Sequence, residues 1–436
     1  MSHKTERRTE VLVVGGGMAG CAAALAARRA GAQVILAERS GVLGGCTTLC
    51  LVQPWQSFHA PPGRGGLPRQ VIGGLAQEFV DDLLTLQATR GHVPDPIGFA
   101  TTLTPVNPAV VAPYLATKLQ DAGIELYLQR EALWAGCSGS VMSTVTLDAD
   151  PREPAQNLRI GARAFVDATG CALLPRLLGS EVIRPDPPQA WTHIFTLAGV
   201  DTQEIISYLE QHEEDFYLAA DWRRRLKTYF AVSGFSSLVK EARERGEFPC
   251  PRDRLLLFGG FREGEVYVNT TRVLPPERYF RQPDTKKLRA AALLRAEGLR
   301  QVHALAKWLR RNAPGFRHAE LAQVAPEIGV RESFRFRGQY ILRGDDVLTG
   351  AQFPDAAATV YYPVDIHRTQ DAGLDYILPA RPYQIPLRAL QSRQFSNLFA
   401  AGRCVSADGV AFASARVTPA AIALGEAAGR AAAESL

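Results

Sequence analysis

The sequence contains no uncharged apolar run of about 18 residues, the minimum length of a membrane-spanning helix. It also contains no zinc-type pair of CxxC motifs, because its seven cysteines are scattered along the chain. An odd number of scattered cysteines argues against a disulfide framework and against a structural metal. We therefore expect a cytoplasmic protein in a reducing compartment, with neither a membrane segment nor a metal site.

A strong charge of one sign is absent as well. The 49 lysines and arginines exceed the 44 acidic residues by only 5, which argues against a nucleic-acid-binding protein. Hydrophobic residues make up 46% of the chain and charged residues 21%, which excludes disorder, collagen and coiled coil. The polar residues 1–10 run directly into a hydrophobic strand and leave no room for a signal peptide. These features favour a soluble α/β enzyme with a small-molecule substrate.

The most informative stretch is the hydrophobic segment 11–14, which is followed by glycines and a run of small residues. Gly15, Gly17 and Gly20 occupy the three glycine positions of a GxGxxG motif between a strand and a helix. The first glycine permits a tight turn, the second lets a diphosphate approach the backbone, and the third lets the helix pack on the strand. The small residues 21–27 are predicted to form this helix, whose N-terminus supplies free N–H groups and a partial positive charge. The stretch predicts a dinucleotide-binding βαβ unit.

A carboxylate and a second glycine turn follow the motif in order. Residues 33–37 form the next predicted strand, and Glu38 ends it. Glu38 lies close to the ~20 residues after Gly20 at which a carboxylate is expected to bind a ribose diol. Gly44 and Gly45 then bring the backbone near the ligand again, as a long dinucleotide requires on the way to its reactive ring. This second turn favours FAD over NAD as the cofactor.

The middle of the chain differs in character from both ends. Strand-like runs alternate with long charged helices there, and no second GxGxxG motif occurs. We therefore predict a discontinuous cofactor domain, residues 1–185 and 381–436, with an inserted α+β substrate or cap domain, residues 186–380. The basic clusters 223–225 and 310–311 in this middle part are interpreted as solvated helix faces.

Several segments together resemble the glutathione-reductase-type FAD fold. They are the GxGxxG motif with Glu38-Arg39, the turn Leu43-Gly44-Gly45, the segment Asp167-Ala168-Thr169-Gly170, and the strand and turn Leu398-Phe399-Ala400-Ala401-Gly402-Arg403. Within that fold, segments 41–59, 329–333, 362–367 and 403–429 resemble the FAD-dependent oxidoreductase family that is related to the succinate dehydrogenase and thiazole synthase flavoproteins. The resemblance implies an α/β protein with a Rossmann-like FAD-binding domain, an inserted cap domain and FAD as the cofactor.

The resemblance also indicates which residues contact FAD. The expected contacts are Gly15, Gly17, Met18, Ala19, Gly20, Glu38, Arg39, Gly44, Gly45, Cys46, Ala132, Ala168, Gly170, Gly402, Arg403, Ala420 and Ala421. Thr418 is a good N-cap and Pro419 a good first helical residue, so the last helix is predicted to begin with free N–H groups at Ala420 and Ala421. The positive end of this helix would stabilise negative charge on the reduced flavin.

Two histidines and one arginine are the catalytic candidates. His367 and, after it, His59 lie in family-like loops, and an imidazole can accept a proton when a hydride leaves the neighbouring carbon. Each is equally compatible with a loop histidine that only satisfies backbone groups. Arg331 lies in a charged stretch and is expected either to orient a substrate carboxylate or carbonyl or to form an interdomain ion pair.

Cys46 and Cys50 follow the glycine doublet, where disulfide reductases of the same fold carry a redox pair. Their i, i+4 spacing on a helix would place both sulfurs on one face. The spacing departs from that of the reductases, and packing of small residues beside FAD is the simpler interpretation.

The predicted reaction is hydride transfer between a small polar organic substrate and flavin N5, in an oxidase or a dehydrogenase. The electron acceptor is left open among oxygen, a quinone and a carrier protein, and a homo-oligomer is compatible with the sequence. Three alternatives remain: an FAD- and NAD(P)H-dependent monooxygenase, a dithiol oxidoreductase that uses Cys46 and Cys50, and a non-catalytic FAD-binding scaffold.

Overall fold

The computed structural model describes residues 5–62, 67–150, 153–282, 284–368 and 373–436. Two sheets organise these residues, one parallel in its main part and one antiparallel, with helices packed against both. The predicted α/β class is confirmed. In the described part of the chain no helix is both long and apolar enough to cross a membrane.

The described strands, in chain order, are β1 (Thr5–Val14), β2 (Val34–Glu38), β3 (Trp55–Gln56), β4 (His59–Ala60), β5 (Arg69–Gln70), β6 (Val93–Pro94), β7 (Thr102–Thr104), β8 (Glu125–Leu128), β9 (Ala132–Ser138), β10 (Val141–Asp150), β11 (Glu153–Asp167), β12 (Val182–Ile183), β13 (Phe195–Ala198), β14 (Ala231–Gly234), β15 (Leu255–Gly259), β16 (Val266–Val268), β17 (Glu320–Val324), β18 (Arg335–Phe336), β19 (Ala356–Val360), β20 (Val364–His367), β21 (Leu374–Ile377), β22 (Tyr383–Pro386) and β23 (Leu398–Ala400).

The described α-helices are α1 (Met18–Arg29), α2 (Cys46–Leu49), α3 (Gly74–Thr85), α4 (Pro108–Asp121), α5 (Leu173–Leu177), α6 (Thr202–Gln211), α7 (Trp222–Leu226), α8 (Ser236–Glu244), α9 (Asp284–Asn312), α10 (Gly344–Thr349), α11 (Gly409–Ala415) and α12 (Thr418–Glu434).

The larger sheet contains strands from both ends of the chain. Its order is β8–β2–β1–β11–β10–β9, and β23 also pairs with β11. The pairs β8–β2, β2–β1, β1–β11 and β11–β23 are parallel, whereas β9, β10 and the first part of β11 form an antiparallel meander. The strand order with its crossover helices is that of the predicted Rossmann-like FAD-binding domain.

Small residues let α1 and α12 lie very close to each other. A Cβ on Gly425 would lie 2.1 Å from the carbonyl oxygen of Ala19, and a Cβ on Gly429 would lie 2.0 Å from that of Ala23. Both distances are far shorter than a van der Waals contact, so a larger residue at either position would push the helices apart. The last helix is thereby held against the helix that follows the GxGxxG turn.

The antiparallel sheet belongs to the middle of the chain. Its order is β14–β15–β16–β13–β17, and β17 forms one edge. Val302, Leu305 and Leu309 of α9 are fully buried and belong to the same hydrophobic core as the strand residues Phe195 and Leu257. This sheet and its helices lie within the range that the sequence predicts as the cap.

The segment from β19 to β22 packs against the other half of the molecule. β19 pairs with β22 and contacts α12, while β20 contacts α11. By these contacts β19 and β20 lie against elements of the predicted cofactor domain, although the predicted cap extends to residue 380. The exact domain boundaries stay a prediction.

Candidate active site

The GxGxxG turn has the close contacts that its glycines predict. Gly15 adopts φ +107°, and a Cβ on it would lie 2.6 Å from the carbonyl carbon of Ala168. A Cβ on Gly20 would lie 1.8 Å from the Gly15 oxygen, so the helix and the turn touch there. Gly17 differs, because a Cβ on it would meet only the Gly45 Cα, at 3.9 Å. The turn is therefore tightly packed at its first and third glycines and open at its second.

Gly17 is also the N-cap residue of α1. The N–H group of Cys21 donates to the Gly17 oxygen at 2.9 Å and opens the helical hydrogen-bond ladder. The N–H groups of Met18, Ala19 and Gly20 precede this ladder. Free donors at the positive end of a helix, beside a position that a side chain would otherwise fill, suit a diphosphate.

The second glycine turn lies directly beside the first. The Gly44 N–H donates to the Gly16 oxygen at 2.9 Å. Gly45 adopts φ +55°, and a Cβ on it would lie 2.9 Å from the Gly17 Cα. The backbones of the two turns therefore lie against each other at Gly17 and Gly45, with no side chain between them. The sequence predicts this for a ligand that passes along both turns. Cys46, which begins α2, comes next.

Glu38 lies at the end of β2, next to the first turn. Its Oε2 accepts the Gly16 N–H at 2.5 Å, and its Oε1 accepts the Ser40 N–H at 2.7 Å. Each oxygen keeps a further lone pair, so the carboxylate can still accept hydrogen bonds from a ribose diol. Arg39 and Ala132 are two further predicted FAD contacts. Arg39 is exposed, and Ala132 is buried at the start of β9.

The remaining predicted FAD contacts lie at the ends of neighbouring strands. Ala168 and Gly170 follow β11, and Gly402 and Arg403 follow β23. A Cβ on Gly402 would lie 2.6 Å from the Ala19 Cβ, and a Cβ on Gly170 would lie 2.7 Å from Arg403 Nη2. The structure therefore brings both strand ends to the start of α1.

The cap of the C-terminal helix differs from the prediction by one residue. Val417, with φ −70° and ψ 153°, is the N-cap residue, and Thr418 is already helical. Because the ladder starts one residue earlier than expected, the Ala421 N–H donates to the Val417 oxygen at 2.9 Å. The prediction of a free N–H at Ala421 is therefore wrong, and the groups that precede the ladder are those of Thr418 and Ala420.

A cavity of about 440 Å³ lies between the cofactor half and the antiparallel sheet. Its wall includes Cys46, Arg403 and Thr418 from the cofactor half, and Leu256 and Phe258 from β15. The start of α12 and the start of α2 both border this space. A small molecule in the cavity would contact both halves of the protein, as is typical of substrate sites.

The polar part of the wall is built around Asp365. Its Oδ2 accepts a hydrogen bond from Arg416 Nη2 at 2.8 Å, and its Oδ1 lies 3.2 Å from His367 Nε2. On the other side of the imidazole, Arg252 Nη1 lies 3.5 Å from His367 Nδ1. Because a guanidinium can only donate, His367 Nδ1 is the acceptor, and the ring hydrogen is on Nε2, towards Asp365.

Opposing effects set the charges of this pair. Burial favours a raised pKa for Asp365, but His367 and Arg416 outweigh it, and the pKa lies below its usual range. Burial lowers the pKa of His367 well below its usual range, and Arg331 lowers it further, whereas Asp365 opposes the shift. The pair is therefore a carboxylate beside a neutral imidazole at neutral pH.

A model of the FAD dependent oxidoreductase family matches residues 10–436, almost the whole chain. The protein belongs to the FAD dependent oxidoreductase family. The resemblance inferred from the sequence motifs is confirmed, and the protein is an enzyme whose cofactor is FAD.

Solved structures that resemble this oxidoreductase include a geranylgeranyl bacteriochlorophyll reductase-like protein from Thermoplasma acidophilum, which shares 13% identity over 98% of this chain and 78% of that chain with a TM-score of 0.47. The flavin-dependent brominase Bmp2 shares 11% identity over 98% and 78% of the two chains, with a TM-score of 0.46. A flavoprotein/dehydrogenase from Cytophaga hutchinsonii shares 12% identity over 98% and 77%, with a TM-score of 0.42. Comparison with curated proteins gives no match.

The two glycine turns of the oxidoreductase fit FAD. The backbone at Gly17 is open where the diphosphate of a dinucleotide is expected, and the first N–H groups of α1 are free to bind it. Glu38 would hold the ribose of the same nucleotide. The start of α12, with its free N–H groups at Thr418 and Ala420, borders the cavity and is suited to negative charge on a reduced flavin.

Arg331 lines the cavity, and Arg252 lies in the same wall. Arg331 Nη1 donates to the Ala190 oxygen at 2.6 Å, and Arg252 Nη2 donates to the Asn269 oxygen at 3.4 Å. Among the residues that the structure describes, neither arginine has a carboxylate oxygen within the 4.0 Å of an ion pair. Burial lowers the pKa of Arg331 well below its usual range and that of Arg252 to about 10. Among the described residues these two arginines of the wall therefore form no ion pair, although the negative charge of Asp365 opposes the lowering of both pKa values.

His59 lies apart from His367 and Arg331, since it is not one of the residues that line the cavity. Its Nδ1 lies 3.1 Å from Thr102 Oγ1, and its ring meets that of His92 edge-on, with the centroids 4.9 Å apart. Burial lowers the pKa of His59. Of the three predicted catalytic residues, the structure brings two together, and the role of each stays a prediction.

Sequence reasoning missed three members of the wall: Arg252, Asp365 and Arg416. The only local signal was the alternation of Asp365 and His367 on β20, which puts both side chains on one face of the strand. Arg252 and Arg416 carried no such signal, because each reaches the cavity from a different part of the chain.

Cys46 begins α2, and Cys50 follows the last residue of this short helix. Cys46 lines the cavity, and Cys50 is buried with its Sγ 3.7 Å from the Ile328 oxygen. A hydrogen bond from Cys50 lowers the pKa of the Cys46 thiol to about 5, and Arg403 lowers it further. The same hydrogen bond, together with burial, raises the pKa of Cys50. Of the two thiols, Cys46 is therefore the more acidic.

Proposed function

We propose that the enzyme oxidises a small organic anion, such as a hydroxy acid, by hydride transfer to FAD. The observation that carries the proposal is the pair Arg252 and Arg331 in the cavity wall, one buried and one half-buried arginine, neither of which has an ion pair with a carboxylate among the described residues. A buried charge is costly unless it is paired. A substrate carboxylate would offset that cost and can bind a guanidinium through two parallel hydrogen bonds.

His367 is the proposed proton acceptor. Its unprotonated Nδ1 faces Arg252 at 3.5 Å, the long limit of a hydrogen bond, so the contact is weak. A substrate carboxylate that draws Arg252 towards itself would leave Nδ1 free to accept the hydroxyl proton. FAD, when bound, supplies the two-electron acceptor for the hydride.

Binding of an anion also makes His367 a better base. The positive charges of Arg331 and Arg252 are among the causes that lower the pKa of His367. A negative charge between them and the imidazole raises this pKa again, because it favours the protonated ring. Asp365 then stabilises the imidazolium that forms, in the manner of a carboxylate behind a catalytic histidine.

Reoxidation of FAD is assigned to an external acceptor: oxygen, a quinone or a carrier protein. The single GxGxxG motif supports this part of the proposal, since it leaves no second dinucleotide site of that type in the sequence. Which acceptor is used decides between an oxidase and a dehydrogenase.

The test is anaerobic mixing of the FAD-loaded enzyme with matched substrate pairs, each a hydroxy acid and its methyl ester or the corresponding diol. We expect the oxidised flavin absorbance to fall with one or more hydroxy acids and not with their uncharged partners. Arg331→Gln should raise the concentration that gives half-maximal bleaching, whereas Arg223→Gln, on an exposed helix, should not. Bleaching by uncharged compounds alone, or by none of the panel, would sink the proposal.

A second candidate, a dithiol oxidoreductase, is favoured by the position of Cys46 at the cavity and by the lowered pKa of its thiol. Oxidation of a Cys46 thiolate and the Cys50 thiol to a disulfide would release one proton and pass two electrons to FAD. A disulfide needs Cβ atoms about 3.5–4.5 Å apart, whereas i, i+4 Cβ atoms on a helix are about 5–6 Å apart. The Cys50 N–H donates to the Cys46 oxygen, as in a helical turn. This turn would have to distort before the two sulfurs could form a disulfide. Unchanged turnover in a Cys46→Ser, Cys50→Ser variant would dismiss this candidate.

A further inference from the structure

The two basic clusters that the sequence analysis treated alike are different in the structure. In the cluster on α7, Arg223 forms an ion pair with Glu213, and Arg224 and Arg225 both pair with Asp221. Each arginine of this cluster therefore has a carboxylate partner. The arginines at the end of α9 have none among the described residues.

The residues around the end of α9 line a second pocket of about 510 Å³. Its polar lining consists of His303, Lys307, Arg310, Arg311 and Arg317. None of the residues that line it is acidic. None of the four permanent cations has a carboxylate oxygen within the 4.0 Å of an ion pair in the described part of the chain. The pocket shares no lining residue with the cavity beside FAD.

Helix geometry concentrates these charges on one face of α9. Residue 307 lies four positions after 303, and residues 310 and 311 lie three and four positions after 307. Side chains at these spacings are neighbours on one side of a helix. Like charges at such spacings repel each other. Earlier on α9, Arg295 pairs with Glu327 and Arg300 pairs with Glu297, whereas Arg289 has no ion pair among the described residues. The pocket is where several such unpaired cations meet.

The helix dipole accounts for only part of this arrangement. Cations in the last turn of a helix are stabilised by its negative end, and Arg310 and Arg311 are in the last turn of α9. Lys307 lies a turn earlier, and Arg317 lies beyond the helix and approaches the same pocket from the loop before β17. Four cations from two segments around one concavity match a ligand that carries several negative charges.

The floor of the pocket is apolar. It is formed by Leu197 of β13, Leu321 of β17 and the small residues Ala306 and Ala319. An apolar floor with a cationic rim excludes water from one side of a bound anion and strengthens its ion pairs with the rim. Three arginines supply planar forks that bind phosphate or carboxylate oxygens in pairs.

We infer that the pocket between α9 and β17 binds a small polyanion, with three or more negative charges on phosphate or carboxylate groups, at a site separate from the FAD and substrate sites. The bound anion would cancel the repulsion among the cations of α9. The site would therefore stabilise the cap sheet as well as take up the ligand.

The test is isothermal titration of the FAD-loaded enzyme with tripolyphosphate and with citrate at fixed ionic strength. FAD is kept saturating so that its own diphosphate site is closed to the probe. We expect saturable binding of at least one probe, and binding at least about tenfold weaker in Arg310→Gln, Arg311→Gln, as loss of two charge-assisted contacts implies. The double variant Arg223→Gln, Arg224→Gln removes the same charge from the cluster on α7, whose arginines have carboxylate partners, and should bind like the wild type.

Thermal unfolding of both double variants checks that each is folded, and Lys307→Gln replaces the first variant if it is not. Saturable binding of tripolyphosphate alone assigns the site to phosphates, and binding of citrate alone assigns it to carboxylates. No saturable binding of either probe overturns the inference. Equal weakening in the two double variants, or binding that appears only after FAD is removed, overturns it as well.

Discussion

Arg252 Nη1 lies 3.5 Å from His367 Nδ1, so the wall of the cavity places a cation against the atom proposed to accept the substrate proton. The arrangement joins residues 115 positions apart in the sequence. Burial is the main cause that lowers the pKa of this imidazole, and the positive charges of Arg331 and Arg252 lower it further. The arrangement also gives the proposed base a response to the substrate, because an anion would offset these positive charges.

Arg252→Gln should shift the pH dependence of substrate oxidation. The positive charge of Arg252 is one cause of the lowered pKa of His367, so its removal raises that pKa. A base must be unprotonated to act, and the acidic limb of kcat/KM should therefore move to higher pH. KM for the anionic substrate should rise as well. An unshifted acidic limb in Arg252→Gln, with the Arg223→Gln enzyme as control, would show that His367 is not the base.

Asp365→Asn should destabilise the enzyme more than an exposed carboxylate substitution does. The change leaves the buried Arg416 without its anionic partner, and breaking a buried pair in this way costs about 3 kcal/mol. Asp355→Asn, which breaks the more exposed pair with Arg388, should cost about 0–1 kcal/mol. Urea unfolding at pH 7 measures both. Similar losses in the two variants would contradict the prediction.

The same carboxylate should make the enzyme sensitive to acid. Because the pKa of Asp365 is depressed in the folded state, its stabilising contribution is present above the unfolded pKa of about 4 and is lost as the pH falls towards the folded value. The unfolding free energy of the wild type should therefore fall more steeply below pH 4 than that of Asp365→Asn.

The cofactor half could be predicted from the sequence because the residues that identify it lie close together in the chain. Gly15, Gly17 and Gly20 have fixed spacing, and each has a conformational or packing reason that holds wherever the motif occurs. The N-cap of α12 shows where a prediction from local sequence fails. Thr418 is the better capping side chain, yet Val417 takes the N-cap position without a side-chain hydrogen bond. Packing of the helix overrides the preference for a capping residue.

The residues that line the cavity could not be predicted in the same way, because no local sequence pattern defines them. Arg252, Asp365 and Arg416 come from segments that are far apart in the chain and meet only in the folded protein. His59 and His367 illustrate the same limit, since both lie in segments that resemble the family and the sequence does not distinguish their roles. Only the fold separates the histidine that lines the cavity from the one that contacts Thr102.

Gly429→Ala should loosen the contact between α12 and α1. A Cβ there would lie 2.0 Å from the Ala23 oxygen, so the helices must separate, and overpacking of this kind costs about 1–3 kcal/mol. Gly409→Ala is the matched control, because a Cβ on Gly409 has no atom within 4 Å in the described structure, and it should change stability by at most about 0.5 kcal/mol. Urea unfolding of the FAD-loaded variants measures the difference, and equal stability of the two would refute the close contact.

Gly17→Ala and Gly20→Ala should separate the binding of FAD from the stability of the fold. A methyl group on Gly17 meets only the Gly45 Cα at 3.9 Å, so the apoprotein should unfold at the wild-type temperature. The same methyl group occupies the space proposed for the diphosphate, and the purified protein should retain much less FAD. A methyl group on Gly20 would lie 1.8 Å from the Gly15 oxygen, so Gly20→Ala should lose both stability and FAD.

The ratio of flavin to protein absorbance and the unfolding temperature of the apoproteins measure the two effects independently. The decisive comparison is Gly17→Ala with the wild type, because its turn is intact and only the open position is filled. Full FAD content in folded Gly17→Ala would mean that the diphosphate does not pass Gly17. The assignment of the open glycine to the cofactor would then be wrong, while the packing roles of Gly15 and Gly20 would stand, since those rest on protein contacts alone.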